Sequence, residues 1–192
     1  MSAQAGSCHE PRRVHLVAIV GPTAVGKTET SLRLAREVGA EIISADSRQI
    51  YCYMDIGTAK PSAEERAAVP HHLIDVVRPD EVLTLAQYRA LASAAVADVW
   101  TRGALPFLVG GTGLYVKALL DGWTIPEVPP DPALRAALRA EADRDGPAAL
   151  HARLAAVDPQ AAKRIDSHNV RRVIRALEIY QHTGCPPSEL QR

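Results

Sequence analysis

Apolar positions along the chain follow two alternating rhythms. Residues 14–20 (VHLVAIV) are short, apolar and β-branched, and predict a buried strand of a parallel sheet. After a glycine-rich turn, Leu32, Leu34, Ala35 and Val38 recur at helical spacing and predict a helix over 28–38, stopped by Gly39. Residues 41–45 read as a second strand. Ser62 and Glu65 form the capping box of a short helix, and 73–77 read as a third, weaker strand. The longest helical pattern spans 84–102, with Leu85, Tyr88, Leu91, Ala95 and Val99 on one face and Gly103 as its stop. A further buried strand at 105–109 precedes a helix at 112–120. Strands alternating with helices imply an α/β fold, a parallel sheet covered on both faces.

The rhythm changes near Gly122. Pro126, Pro129, Pro130 and Pro132 crowd together and mark a boundary, beyond which no strand pattern recurs. The reading is a core over 1–122, with 1–13 expected to be disordered, and a helical appendage over 123–192. Asp131-Pro132 and Asp158-Pro159 each read as an N-cap followed by a first-turn proline. Ser167 or Asn169 caps a third helix to about His182, closed by Gly184 and Pro186-Pro187.

Composition narrows the class. The 192 residues are 47% hydrophobic and 23% charged, which argues against disorder, a collagen-like repeat and a disulfide scaffold. No apolar run reaches the ~20 residues needed to cross a bilayer, and 1–13 contain no apolar signal core. Cys8, Cys52 and Cys185 are far apart and odd in number, fitting neither a metal cluster nor a disulfide frame. A cytoplasmic location without a membrane is expected, and nothing requires more than a monomer. Formal net charge is zero. Yet Lys163, Arg164, Arg171, Arg172 and Arg175 face a single acid, Asp166, within 163–175. Arg171, Arg172 and Arg175 oppose an apolar stripe of Val170, Val173, Ile174, Leu177 and Tyr180. A solvated helix face and a nucleic-acid contact both fit that pattern.

Residues 21–28 (GPTAVGKT) match G-x-x-x-x-G-K-[ST] between a predicted strand and a predicted helix. Gly21, Pro22, Thr23, Ala24, Val25 and Gly26 would curl backbone N–H groups toward phosphate oxygens, and the helix N-terminus adds partial positive charge. Lys27 supplies a full charge, and the Thr28 hydroxyl is a candidate Mg²⁺ ligand. The pattern does not say which phosphate is bound. An ordinary kinase or ATPase also needs an apolar strand ending in Asp. The strand at 105–109 instead ends in Gly110-Gly111-Thr112, and Ile74-Asp75 is the only rival.

At 42–51 an apolar strand runs into Asp46, Ser47, Arg48 and Gln49, which should face the ligand crevice at the strand's carboxyl end. Asp46 reads equally as the cap of the following turn. Taken in order, GPTAVGKT, SADSRQIY, MDIGTAKPS, VPHHLIDV and LVGGTGLYVKALL resemble the tRNA dimethylallyltransferase (IPP transferase) family from about residue 14 to at least 180. Arg171 stands where that family's Q-R-x-x-R-A-L-E segment usually has Gln, a cation in place of an amide.

The resemblance implies a P-loop core with a helical tRNA-binding insertion. It also implies transfer of a dimethylallyl group from dimethylallyl diphosphate to N6 of adenine 37 in the tRNA anticodon loop. Residues 21–28 would grip the diphosphate with Mg²⁺, Lys27 would stabilise the leaving group, and Asp46 would take the amine proton. Thr23, Ser47, Arg48, Gln49 and Thr112 would hold the nucleotide, and Arg171, Arg172 and Arg175 the surrounding RNA. Prenylation of a free adenine nucleotide, a small-molecule kinase and an inactive binding fragment are the alternatives. His71-His72 reads as structural, and Tyr51, Tyr53 and Tyr115 as prenyl pocket or core. Family members continue to a segment near T-x-x-Y-A-x-R-Q that does not occur before Arg192. Poor turnover by 1–192 alone is therefore expected.

Overall fold

Four parallel strands, β1 (Val17–Val20), β2 (Ala40–Ser44), β3 (His71–His72) and β4 (Leu105–Gly110), form one sheet in the order β1-β4-β2-β3. The computed structural model describes residues 15–123, 126 and 128–190. The chain divides between Asp121 and Gly122 into two compact units. Among the described residues no helix is long and apolar enough to cross a membrane.

In the first unit, period-two alternation along the central strands feeds two helical layers. Ile42, Phe107 and Val109 pack with Leu32 and Ala35 of α1 (Lys27–Val38). Ile43 and Leu108, pointing the other way, pack with Tyr88 and Ala92 of α3 (Leu85–Thr101) and Tyr115 of α4 (Gly113–Leu120). The Ser62–Glu65 capping box opens α2 (Ala63–Ala68) as read from the sequence. A second capping box, Thr84 with Gln87, opens α3 and escaped the sequence reading.

Three expectations need correction. Residues 73–77 are not a strand. Leu73 and Asp75 adopt positive φ (62° and 57°), which breaks the pleat after His72 and leaves Val77 only a bridge to Tyr51. The strand expected at 14–20 is not buried throughout. Val14 lies outside the described residues, and among those described β1 pairs only with β4, leaving Val17 and Val20 exposed. The buried face of α3 carries Tyr88, Ala92 and Val99, while Leu91 turns outward at 40% exposure. Leu85, Tyr88, Ala95 and Val99 lie on the packed face as the spacing predicts, and Leu91 alone falls outside it.

The second unit is all helical: α5 (Pro132–Asp145), α6 (Pro147–Val157), α7 (Pro159–Arg164), α8 (Val170–Thr183) and α9 (Pro187–Leu190). Leu138, Ala142, Leu150, Leu154, Val173 and Leu177 form its core. Asp131, Asp158 and Asn169 cap α5, α7 and α8 through their side chains, so Asn169 rather than Ser167 is the cap. The sequence reading missed the break at Gly146-Pro147, where Gly146 takes φ 89° and separates α5 from α6. Gly184 closes α8 as read from the sequence, and Pro187 then starts the short α9, which the pattern did not show. There the Ser188 N–H and hydroxyl donate to the buried Asp158 carboxylate, at 2.8 and 2.7 Å.

Candidate active site

The β1 strand runs into the glycine-rich turn, and the turn into α1. Gly26, at φ 80°, is the N-cap of that helix, a left-handed conformation that glycine adopts freely. Ala24 also takes positive φ (66°), which holds the loop curled at a cost an L-residue normally avoids. Lys27 donates to the Pro22 carbonyl at 2.6 Å, folding its ammonium over the loop while leaving further N–H donors for a ligand.

The end of β2 meets the end of β4 at Gly110. A Cβ there would overlap the Ala45 backbone, so only glycine lets the two strand ends close. The closure is sealed by Ala45 N–H to the Val109 carbonyl (2.8 Å) and Thr112 N–H to the Ala45 carbonyl (3.0 Å). It aims Asp46 and the residues after it at the phosphate loop. A concavity of about 580 Å³ results. Thr23, Ala24, Gly26, Lys27 and Thr28 form one wall, and Asp46, Arg48 and Gln49 another. Gly21, Pro22 and Val25 do not line it, nor do Ser47 and Thr112.

Each polar residue after β2 has a defined state. Asp46 accepts the Arg48 N–H through Oδ1 at 2.8 Å, a turn cap, while Oδ2 has no partner among the described residues. The Gln49 amide is fixed at both ends. Its oxygen accepts from Ser44 Oγ (3.0 Å), and its nitrogen donates to the Ala59 carbonyl (2.9 Å). The second contact draws in the segment 57–61, whose Gly57, Thr58, Ala59 and Pro61 complete the concavity. Thr112 Oγ1 accepts the Ser47 N–H (2.9 Å) and donates to Ser47 Oγ (3.2 Å). Thr112 therefore braces the turn.

His71 also lines the concavity, although both histidines read as structural in the sequence. Its Nδ1–H donates to the Val69 carbonyl at 2.7 Å, and burial holds its pKa below the ordinary value. The only signal available was its place at a strand end. His72 donates to Glu41 at 2.7 Å. Asp75 is bound by Lys60 (2.6 Å) and Arg66 (2.8 Å) and does not line the concavity. Tyr115 stacks on Tyr88 at 3.7 Å within the core, Tyr53 is exposed, and Tyr51 is half-buried. None of the three lines the concavity.

In the helical unit, Glu178 is fully buried and collects three donors: Arg135 (2.7 Å), Arg175 (2.5 Å) and the Asp131 N–H (2.8 Å). Arg175 also donates to the Val128 carbonyl at 3.0 Å, so this sequence-level RNA candidate is committed to internal bonds. Arg171 and Arg172 are exposed and lack ion-pair partners among the described residues.

Against this geometry, the family model described as IPP transferase matches residues 49–192. The chain belongs to the IPP transferase family. Among curated relatives of the chain, the tRNA dimethylallyltransferase of Roseiflexus sp. (strain RS-1) is 61% identical over 92% of the chain and 58% of the relative. That of Chloroflexus aurantiacus (strain ATCC 29366 / DSM 635 / J-10-fl) is 62% identical over 92% of the chain and 60% of the relative. The chain thus spans about three-fifths of the length of these relatives. The crystal structure of the full-length tRNA isopentenylpyrophosphate transferase of Bacillus halodurans aligns with TM-score 0.59 and 50% identity. It covers 91% of this chain and 57% of its own. A eukaryotic dimethylallyltransferase acting on tRNA aligns with TM-score 0.74 and 32% identity, covering 91% of this chain and 43% of its own.

Proposed function

We propose that this IPP transferase chain carries the donor site and proton acceptor of a tRNA prenylation reaction. A dimethylallyl group would pass from dimethylallyl diphosphate to N6 of adenine 37 in the anticodon loop. The observation that carries the reading is the free Oδ2 of Asp46, on a residue that shares one concavity with the phosphate loop. The relatives' names and the five ordered motifs support the same substrate pair.

The bond from the prenyl C1 to diphosphate oxygen breaks as the bond from N6 to C1 forms. Adenine N6 is a weak nucleophile because its lone pair is delocalised into the ring. Asp46 Oδ2 takes the N6 proton, assistance worth ~10²–10⁴-fold. Lys27 and the curled loop N–H groups hold the diphosphate and stabilise the charge it gains on leaving. Gln49 and the backbone around Ser47 and Arg48 orient the nucleotide, with Thr112 as their brace. The base must leave its stack to enter, at a cost of a few kcal/mol.

Magnesium suits the donor set. Thr28 lines the concavity, and no cluster of three His, Cys, Asp or Glu ligands exists among the described residues. That matches a hard cation that keeps several waters and takes its other oxygens from the diphosphate. When bound, it neutralises charge on the leaving group.

The test supplies the chain with labelled dimethylallyl diphosphate, Mg²⁺ and an A37-unmodified tRNA. The expected result is labelled tRNA and released diphosphate at the low turnover expected of 1–192, with both lost in Asp46→Asn while tRNA binding persists. Label on free AMP instead would favour the nucleotide prenyltransferase, and ATP-dependent phosphate transfer a kinase. Loss of tRNA binding with turnover intact at saturating tRNA would make Asp46 a binding residue only.

A further inference from the structure

We propose that the turn over residues 53–57 is a stacking platform for the RNA bases beside the target adenine, with Tyr53 as its aromatic face. This rests on the tRNA reading above and names the surface that receives the neighbours of the extruded base.

Three apolar side chains stand in solvent within four residues. Tyr53 is 80% exposed, Met54 36% and Ile56 100%. Their backbone is costly to hold. Tyr53 adopts φ 64°, a left-handed conformation that a bulky residue rarely takes. A strained residue that buries so little adds nothing to the core, and strain of this kind gathers at ligand-binding sites. The turn is nonetheless fixed from both sides. The Cys52 N–H donates to the Val77 carbonyl at 2.8 Å, and the Thr58 hydroxyl to the Met54 carbonyl at 2.6 Å. The Lys60 ammonium donates to Asp55 at 2.8 Å and to the Tyr51 carbonyl at 2.7 Å. Tyr53 and Ile56 are thus presented on an ordered backbone, which lowers the entropy a ligand must remove.

Their place selects the ligand. Ile56 directly precedes Gly57, which with Thr58 and Ala59 lines the concavity that holds Asp46. The apolar turn therefore continues the rim of the site into which the adenine is extruded. A base that leaves its stack strips one face from each neighbour. Aromatic and apolar side chains replace such faces for any base, because every base has a π-face. A phosphate does not fit the turn. Asp55 is the only charged side chain in 51–59, and Lys60 already holds it. A single turn is also far smaller than the about 800 Å² per partner of a standard protein interface.

The test is binding of a tRNA anticodon stem-loop, with 2-aminopurine next to adenine 37, to the full chain. Tyr53→Gly should lower affinity by about 5- to 150-fold, the loss of one stacked base. The bound 2-aminopurine should be brighter than in wild type, because its quenching ring is gone. The slope of log affinity against log salt should not change, since no charge is removed. Glycine suits φ 64°, so the variant should unfold in urea no earlier than wild type. Tyr53→Phe should bind as wild type does. Wild-type affinity in Tyr53→Gly, a phenylalanine variant as weak as the glycine one, or earlier unfolding of Tyr53→Gly would each overturn the proposal. So would a wild-type chain that fails to bind the stem-loop, or one that dimerises through Tyr53 with RNA affinity unaffected. Prenyl transfer by the wild type, read in parallel, separates the two readings. Transfer with unchanged variant affinity removes the platform alone, and affinity loss without transfer removes the enzymatic reading alone.

Discussion

Replacing Glu178 by glutamine should cost the helical unit about 3 kcal/mol, the low end of what breaking a buried ion pair costs. The low end applies because Arg135 and Arg175 keep 41% and 37% side-chain exposure and can rehydrate once abandoned. The carboxyl's own titration gives a second route to the number. Burial pushes its pKa up. The Arg135 guanidinium, the Asp131 N–H and the Arg175 guanidinium outweigh that and bring it from an ordinary 4.5 to about 2. At about 1.36 kcal/mol per pH unit, this again amounts to about 3 kcal/mol. The folded pKa is depressed, so the stabilisation is complete above pH 4.5 and is lost as pH falls toward 2. Wild type should therefore lose stability across that window faster than Glu178→Gln. The buried Asp158, also held low, is common to both proteins and cancels in the difference. Because the chain has two units, hydrogen exchange by mass spectrometry on peptides from α5 and α8 is the suitable readout, supported by urea unfolding at pH 7 and pH 3. Equal protection in both proteins at pH 7, or a variant with undiminished acid sensitivity, would refute the reasoning.

Gly110→Ala should destabilise the α/β unit by about 1–3 kcal/mol and lower turnover. Urea unfolding beside a transfer assay checks it, since the new Cβ forces Ala45 and with it Asp46 out of place. Tyr88→Phe should cost about 1 kcal/mol in the same unfolding assay, for its buried hydroxyl donates to the Ser44 carbonyl at 3.0 Å. Lys60→Met should loosen the segment 57–61. Lys60, 3% exposed, ties Asp55, Asp75 and the Tyr51 carbonyl, so faster exchange in that peptide is expected. Ser62→Ala should cost about 1 kcal/mol through loss of the α2 cap, read by exchange in peptides over 62–68.

Much of the fold was legible because its signals are local. Capping residues, helix-stopping glycines and runs of β-branched residues act over a few positions, so α1, α2, α4, β2 and β4 fall within a residue or two of where the pattern puts them. The misreadings share a cause at longer range. Residues 73–77 have strand composition, yet Lys60 and Arg66 pull Asp75 aside from nine and more residues away. Leu91 shares the helical spacing of Tyr88, and only the packing of α3 on β2 and β4 leaves it outside the core. The phosphate loop announces itself because its chemistry needs contiguous residues. Gln49's hold on 57–61 and Thr112's hold on Ser47 were not legible, since their partners are separated by up to 65 positions.

The same distinction governs charge. Arg171, Arg172 and Arg175 are equivalent in a count along the chain, but a buried carboxylate makes them unequal. Glu178 sits at i+3 from Arg175, within its reach, and at i+7 from Arg171 on the same helix face. Arg175 becomes a strut between α8, Glu178 and the Val128 carbonyl. Arg171 stays free one turn back, where Arg139 of α5 joins it in a groove lined also by Arg135 and Arg175. The cations left without an internal partner in this groove are thus those that Glu178 cannot reach. A variant that removes Glu178 should accordingly raise RNA affinity while lowering the unit's stability. Anisotropy with the anticodon stem-loop at fixed salt checks this: weaker binding by folded Glu178→Gln would mean that the carboxylate sets the groove's shape more than its charge.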